Sequence, residues 1–223
     1  MIDFVKLSLD QASTRGYLGL LVMGQIQQQQ TDGFKQAKKS LEAQLRNDYE
    51  NMSRGELKAL HPLSVYTAYY RKFGYTYHVL GQLESVIKGK PLPEGPPLVD
   101  VMFMAELKNL LLTAAHDWSK VKPPVTLAHS SGDEVFTTLS GREVSTVSGD
   151  LMISDGEGVI SSILRGPDQR TCVDAHTQEV AYTVYGLPGI EESLIWQHLQ
   201  DMEAGVRIFA PAAARVFSQV VST

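Results

Sequence analysis

The sequence predicts an α+β protein, with a helical N-terminal half packed on a mostly antiparallel sheet. Three observations carry that expectation. Between Phe34 and Gly89, apolar residues recur at steps of three and four and are bracketed by capping and stopping residues. Beyond Pro124, short apolar runs alternate with Gly-, Asp- and Ser-rich turns. The helical and strand patterns are segregated along the chain, which argues against an alternating βαβ arrangement.

The elements follow in order. "YLGLLVMGQI", Tyr17 to Ile26, reads as a buried strand, and "QQQQTDGF" as a loop. Phe34 to Glu50 is a helix, since Phe34, Ala37, Leu41, Leu45 and Tyr49 share a face, with Thr31 or Asp32 placed to cap it. A second helix begins near Ser53 and stops before Pro62. A third covers "PLSVYTAYYRKFG", with Pro62 at its opening and Gly74 at its close. A fourth, "HVLGQLESVIKG", ends at Gly89. "KGKPLPEGPPLVDVMF" then delivers the chain into "LVDVMFM", either a buried strand or the entry to a helix continuing through "AELKNLLLTA". "PVTLAH", "EVFTTL", "DLMISD", "GVISSILRG" and "VAYTVYG" are strands, and Asp155-Gly156 supplies a positive-φ hairpin turn between two of them. "GIEESLIWQHLQDMEAG" is a terminal helix that Gly205 follows, so residues 187–223 form a C-terminal helical extension of a single domain over 1–223.

Composition narrows the function classes. The chain has 223 residues, 43% hydrophobic and 20% charged, enough for a substantial core. No apolar run approaches the roughly 20 residues of a membrane-spanning helix, no secretory signal is visible, and a cytoplasmic location without a membrane partner is expected. The single cysteine, Cys172, excludes an intramolecular disulfide and a cysteine-rich zinc site, and reads as a half-buried thiol. Residues 1–90 hold twelve Lys and Arg against eight Asp and Glu, a balance of +4, while 91–223 hold eight against 17, or -9. A nucleic acid would therefore meet the first half, through Lys35, Lys38, Lys39, Arg46, Arg54, Arg71 and Lys72. The competing reading makes these the solvated faces of helices.

Familiar catalytic motifs are missing. There is no GxxxxGK[ST], GxGxxG or GxSxG, and the histidines at 61, 78, 116, 129, 176 and 198 lack the i, i+4 spacing of a helical zinc site. No cofactor is expected. "SILRGPDQRT" places Arg165, Asp168, Arg170 and Thr171 at the end of an apolar strand, where charged side chains can line a pocket or pair across a turn. Asp100, alone in an apolar run, must be paired or hydrogen-bonded, so it anchors the proline-rich loop or faces a pocket.

The ordered series "YYRKFG", "LESVIKGKPLPEGPPLVDV", "GDEVFTTLSG" and "GDLMISDGEGVISSILRGPDQRTCVDAHTQEVAYTVYG" resembles the B3/B4 domain of the phenylalanyl-tRNA synthetase beta subunit, most closely its free-standing relatives, over residues 53–186. The resemblance implies an editing-like domain whose pocket admits the aminoacyl end of a tRNA and positions a water without a covalent nucleophile. It implies Asp100 or Glu179 as general base in hydrolysing a mischarged aminoacyl-tRNA, with Arg165, Asp168, Arg170, Thr171 and Thr177 as substrate-binding residues. Where the relatives carry amide and hydroxyl side chains after the "LVD" triplet, this chain carries Phe103 and Glu106. That difference leaves room for a second reading, a non-catalytic module binding RNA or an amino-acid-like small molecule.

Overall fold

A computed structural model describes residues 5–8 and 16–222 and contains both helices and antiparallel sheets. Strands β1 (Val5–Ser8) and β2 (Tyr17–Gly24) are followed by five helices: α1 (Asp32–Tyr49), α2 (Arg54–Ala59), α3 (Leu63–Lys72), α4 (His78–Ile87) and α5 (Pro97–Asn109). Eight strands come next: β3 (Thr113–Asp117), β4 (Val125–His129), β5 (Val135–Thr137), β6 (Glu143–Ser145), β7 (Leu151–Asp155), β8 (Gly158–Ser162), β9 (Gly166–Pro167) and β10 (Val180–Gly186). Helix α6 (Glu192–Phe209) and strand β11 (Ala214–Ser222) complete the described chain.

The helix starts obey their caps. Thr31 is the N-cap of α1, its hydroxyl accepting from the Phe34 N–H at 3.1 Å, while Asp32 lies within the first turn. Ser53 and Glu56 form a reciprocal capping box at α2. "LVDVMFM" is helical, not a strand: Pro97 opens α5 with its missing N–H where none is needed. The helix stops at Asn109 because Leu110 turns left-handed, at φ 59°. The following residues then form β3, a buried strand rather than a continuation of the helix.

Two sheets frame the molecule. One has the order β11-β2-β10-β3 and is antiparallel throughout; the other runs β1-β4-β7-β8-β9, antiparallel except where β1 joins β4 in parallel. Strands β5 and β6 form a separate hairpin. Tyr185 of β10 and Ser161 of β8 share a hydroxyl–hydroxyl bond of 2.6 Å that ties the two larger sheets together. Tyr69 of α3 donates to Asp150 at 2.8 Å and accepts from the Leu151 N–H, holding the helices to β7.

Three sequence expectations change. In the β7–β8 hairpin the positive φ falls on Gly158 rather than Gly156, because the Asp155 carboxylate accepts from the N–H groups of Glu157 and Gly158 and sets the turn itself. Gly205 does not end the last helix. It lies inside α6, where an added Cβ would meet Val101 of α5 at 3.1 Å, so glycine serves the close approach of two helices. Residues 187–223 are not helical throughout: β11 pairs along β2 and forms the edge of the four-stranded sheet.

Helix α6 lies on β2 and β10, where Gly19 lets Ile195 descend onto the sheet: a Cβ there would sit 2.6 Å from Ile195 Cγ2 and 3.2 Å from Val184 Cβ. Gly19→Ala should therefore cost about 1–3 kcal/mol by overpacking. Gly81→Ala, in the exposed middle of α4 with nothing within 4 Å, should gain about 0.5–1 kcal/mol. Urea unfolding of both variants checks the contrast.

Candidate functional site

Helix α5 carries two carboxyl groups on different faces, and their surroundings separate their roles. Val99, Met102, Phe103 and Glu106 recur at i, i+3, i+4 and i+7 and line one wall of a cavity of about 500 Å³. Asp100 is turned about 100° from Val99 and faces α1 instead. There its Oδ2 accepts from Lys38 Nζ at 2.7 Å, and its Oδ1 accepts from the Gly95 N–H at 3.0 Å. Lys38 also donates to the Pro93 carbonyl at 2.7 Å, so one buried ion pair fastens α1, the proline-rich segment and the first turn of α5. Burial pushes the Asp100 carboxyl up, against the pull of Lys38 and the Gly95 N–H.

The cavity is mostly apolar. Its other walls come from Tyr70 of α3, from Gln82 and His78 of α4, from the start of β3, and from the segment 161–167 with Tyr185 behind it. Tyr70 closes one side by donating to the Ile163 carbonyl at 2.7 Å. At the mouth, Tyr75 is 40% and Leu139 is 55% exposed, and the Arg165 guanidinium lies 5.9 Å over the Tyr75 ring. Arg165 Nε donates to the Ser145 carbonyl at 3.2 Å, which fixes its stem on β6. The half-buried Cys172 also lines the cavity.

Glu106 is the unusual group. It is 1% exposed; one carboxyl oxygen accepts from the Thr113 N–H at 2.9 Å, and the other has no partner. Desolvation raises its carboxyl from the ordinary range to about 8, so it is largely protonated at neutral pH. Gln82 Oε1, in the same cavity wall, is also buried without a partner. Desolvation of its ring beside Tyr70 and Tyr77 lowers the His78 pKa.

Of the residues expected to act as bases or to bind substrate, only Arg165 lines this cavity. Asp100 belongs to the Lys38 pair. Glu179 is exposed, beside Gly24 on β2. Arg165 and Asp168 do not pair across their turn: Asp168 accepts from Thr171 and lies 3.7 Å from Arg170. Arg170 makes a two-pronged contact with Asp155, at 2.8 and 3.0 Å, that locks the loop to the β7–β8 hairpin. Thr171 contacts His116 Nδ1 at 2.8 Å, and Thr177 donates to Asp117 at 3.0 Å; both are buried. Asp168, Arg170, Thr171 and Thr177 thus hold a loop together behind the cavity rather than lining it. The basic residues divide in the same way. Lys38 is buried on Asp100, Arg46 bonds the Val86 carbonyl, and Arg54 pairs with Glu84.

Among the described residues, no three His, Cys, Asp or Glu side chains converge so as to hold a metal ion. Nor is any helix among them long and apolar enough to cross a membrane. No family model and no curated protein matches the chain. Among solved structures it is similar to the crystal structure of an N-terminal fragment of the phenylalanyl-tRNA synthetase beta-subunit from Pyrococcus horikoshii, at 13% identity and a TM-score of 0.53. The match covers 99% of this chain and 55% of that one. At this identity the likeness is one of fold: an α+β arrangement like that of the synthetase fragment.

Two measurements check the assigned roles of the carboxyls. Lys38→Met should cost about 3–5 kcal/mol by stranding Asp100, and adding Asp100→Leu should recover most of that loss in urea unfolding. For Glu106 the folded-state value of about 8 lies above the unfolded value of 4.5, so the folded state binds the extra proton between them. Wild-type stability therefore falls as pH rises through that window. Glu106→Gln should remove this slope, the two proteins diverging by on the order of a few kcal/mol.

Proposed function

We propose that this chain is a phenylalanyl-tRNA synthetase beta-like domain of the B3/B4 kind, and that its cavity binds an aminoacyl group, at the end of a tRNA or as an amino-acid-like small molecule. The observation that supports this most strongly is the cavity itself: about 500 Å³, apolar, with a few inward polar groups and a cation at its mouth. That volume suits one amino-acid side chain with its acyl head. Arg165 at the rim offers a guanidinium to a phosphate or carboxylate outside the cavity, while Tyr75 offers a ring face to a base or aromatic group.

Binding is favoured over catalysis because the carboxylates expected to act as bases, Asp100 and Glu179, do not line the cavity. Hydrolysis of a mischarged aminoacyl-tRNA is a second reading, and Glu106 supports it. A carboxyl held at about 8 faces the cavity and could take a proton from water in mildly alkaline solution.

Cys172, the chain's single cysteine, makes occupancy measurable. Phenylalanine methyl ester at about ten times its dissociation constant should slow alkylation of Cys172 roughly tenfold. A mischarged aminoacyl-tRNA should do the same, and Arg165→Ala should weaken the tRNA effect far more than that of the ester. An alkylation rate indifferent to both ligands would overturn the binding reading. Release of amino acid from mischarged tRNA above a Glu106→Gln control would move the assignment to the second reading.

A further inference from the structure

Two oxygens in the cavity wall, Glu106 Oε2 and Gln82 Oε1, are buried without a partner; Gln82 Oε1 is a hydrogen-bond acceptor, and Glu106 Oε2 becomes one when its carboxyl ionises. Proteins seldom leave such groups unpaired, since desolvation costs stability that no bond recovers. Asp100, six residues earlier on the same helix, shows one remedy: its buried carboxylate is given an ammonium, that of Lys38 on α1, at 2.7 Å. Glu106 has no such cation. The groups around it are Tyr66 and Tyr70 of α3, Tyr77 just before α4 and Thr113 of β3, none of them a cation; His78 of α4 lines the same cavity, with its pKa lowered. Arg165 stands at the mouth, bonded to Ser145.

Resting on the binding reading above, we propose that the Glu106–Gln82 wall receives a primary ammonium group of the ligand. An ammonium presents three donors and a charge opposite to a carboxylate, so it can meet both acceptors, where a single hydroxyl could meet one. Met102, Phe103, Leu112 and Ile163 give the stem behind that ammonium an apolar lining. Burial keeps the Glu106 carboxyl protonated in the free protein, and a bound cation supplies the charge that lets it ionise. The ligand is then oriented with its amine inward and its acyl or phosphate end toward Arg165.

Calorimetry with three probes tests this. Phenylalanine methyl ester carries an α-amine, methyl phenylpropanoate is the same skeleton without it, and pentylamine carries an amine at the end of an apolar stem. The amino ester should bind about tenfold more tightly than the deaminated ester. Glu106→Gln, which keeps an acceptor for the Thr113 N–H, should erase that preference and leave the deaminated ester unaffected. Pentylamine binding that depends on Glu106 would place a stem-end ammonium in the wall; its failure beside a Glu106-dependent amino ester would place the α-ammonium there. Should Glu106→Gln not fold, Gln82→Met decides, by weakening the amino ester selectively. Equal binding of the two esters, or a preference that survives both substitutions, overturns the proposal. Failure of all three probes overturns the binding reading itself.

Discussion

The buried Lys38–Asp100 pair is the constraint on which the arrangement of the cavity depends. It joins three pieces of chain distant in sequence: the middle of α1, the Pro93–Gly95 stretch and the first turn of α5. Asp100 suits that place, because a carboxylate near a helix N-terminus meets the positive end of the peptide dipoles. Prolines on either side hold the connecting backbone at fixed φ, so the pair acts on a segment with little freedom left. A buried ion pair adds less net stability than its short distance implies, since both charges have lost water. Its contribution is geometric: it sets where α5 begins, and α5 supplies the cavity wall.

The far end of the same helix is fixed by a different device. Leu110 turns left-handed, its N–H bonding the Glu106 carbonyl at 2.7 Å, and the Glu106 side chain receives the Thr113 N–H as β3 begins. One residue therefore closes the helix through its backbone and starts the strand through its side chain, leaving one oxygen over. Two carboxyls on one helix thus have opposite surroundings. Asp100 has a cation and an N–H donor; Glu106 has one N–H and an apolar cavity. Environment rather than residue type separates a structural acid from one available to a ligand.

Much of this was legible in the sequence. Thr31, Ser53 and Gly74 mark helix ends through backbone chemistry that acts locally, and the long buried run of β2 reads correctly because both faces of that strand are covered. "LVDVMFM" was ambiguous because a short apolar run fits a buried strand and a buried helix equally well. Resolving it as a helix changes which residues face together: the i, i+3, i+4, i+7 set from Val99 to Glu106 becomes the wall, and Asp100 leaves it. The roles of Gly205 and β11 are not legible locally, because they depend on partners elsewhere, Val101 on α5 and the edge of β2. The polar loop from Arg165 to Thr171 did mark the neighbourhood of the cavity. Sequence could not show that Arg170, Asp168 and Thr171 spend their hydrogen bonds on one another and on Asp155 and His116.

The space between α5 and the sheets is the proposed seat of the ligand. A crystal of the protein soaked with phenylalaninamide addresses it most directly. Density is expected between Tyr70, Phe103 and Ile163, with the amine within hydrogen-bond reach of Glu106 and Gln82. Density confined to the lysine-bearing face of α1, or an unchanged cavity at saturating ligand, would contradict it.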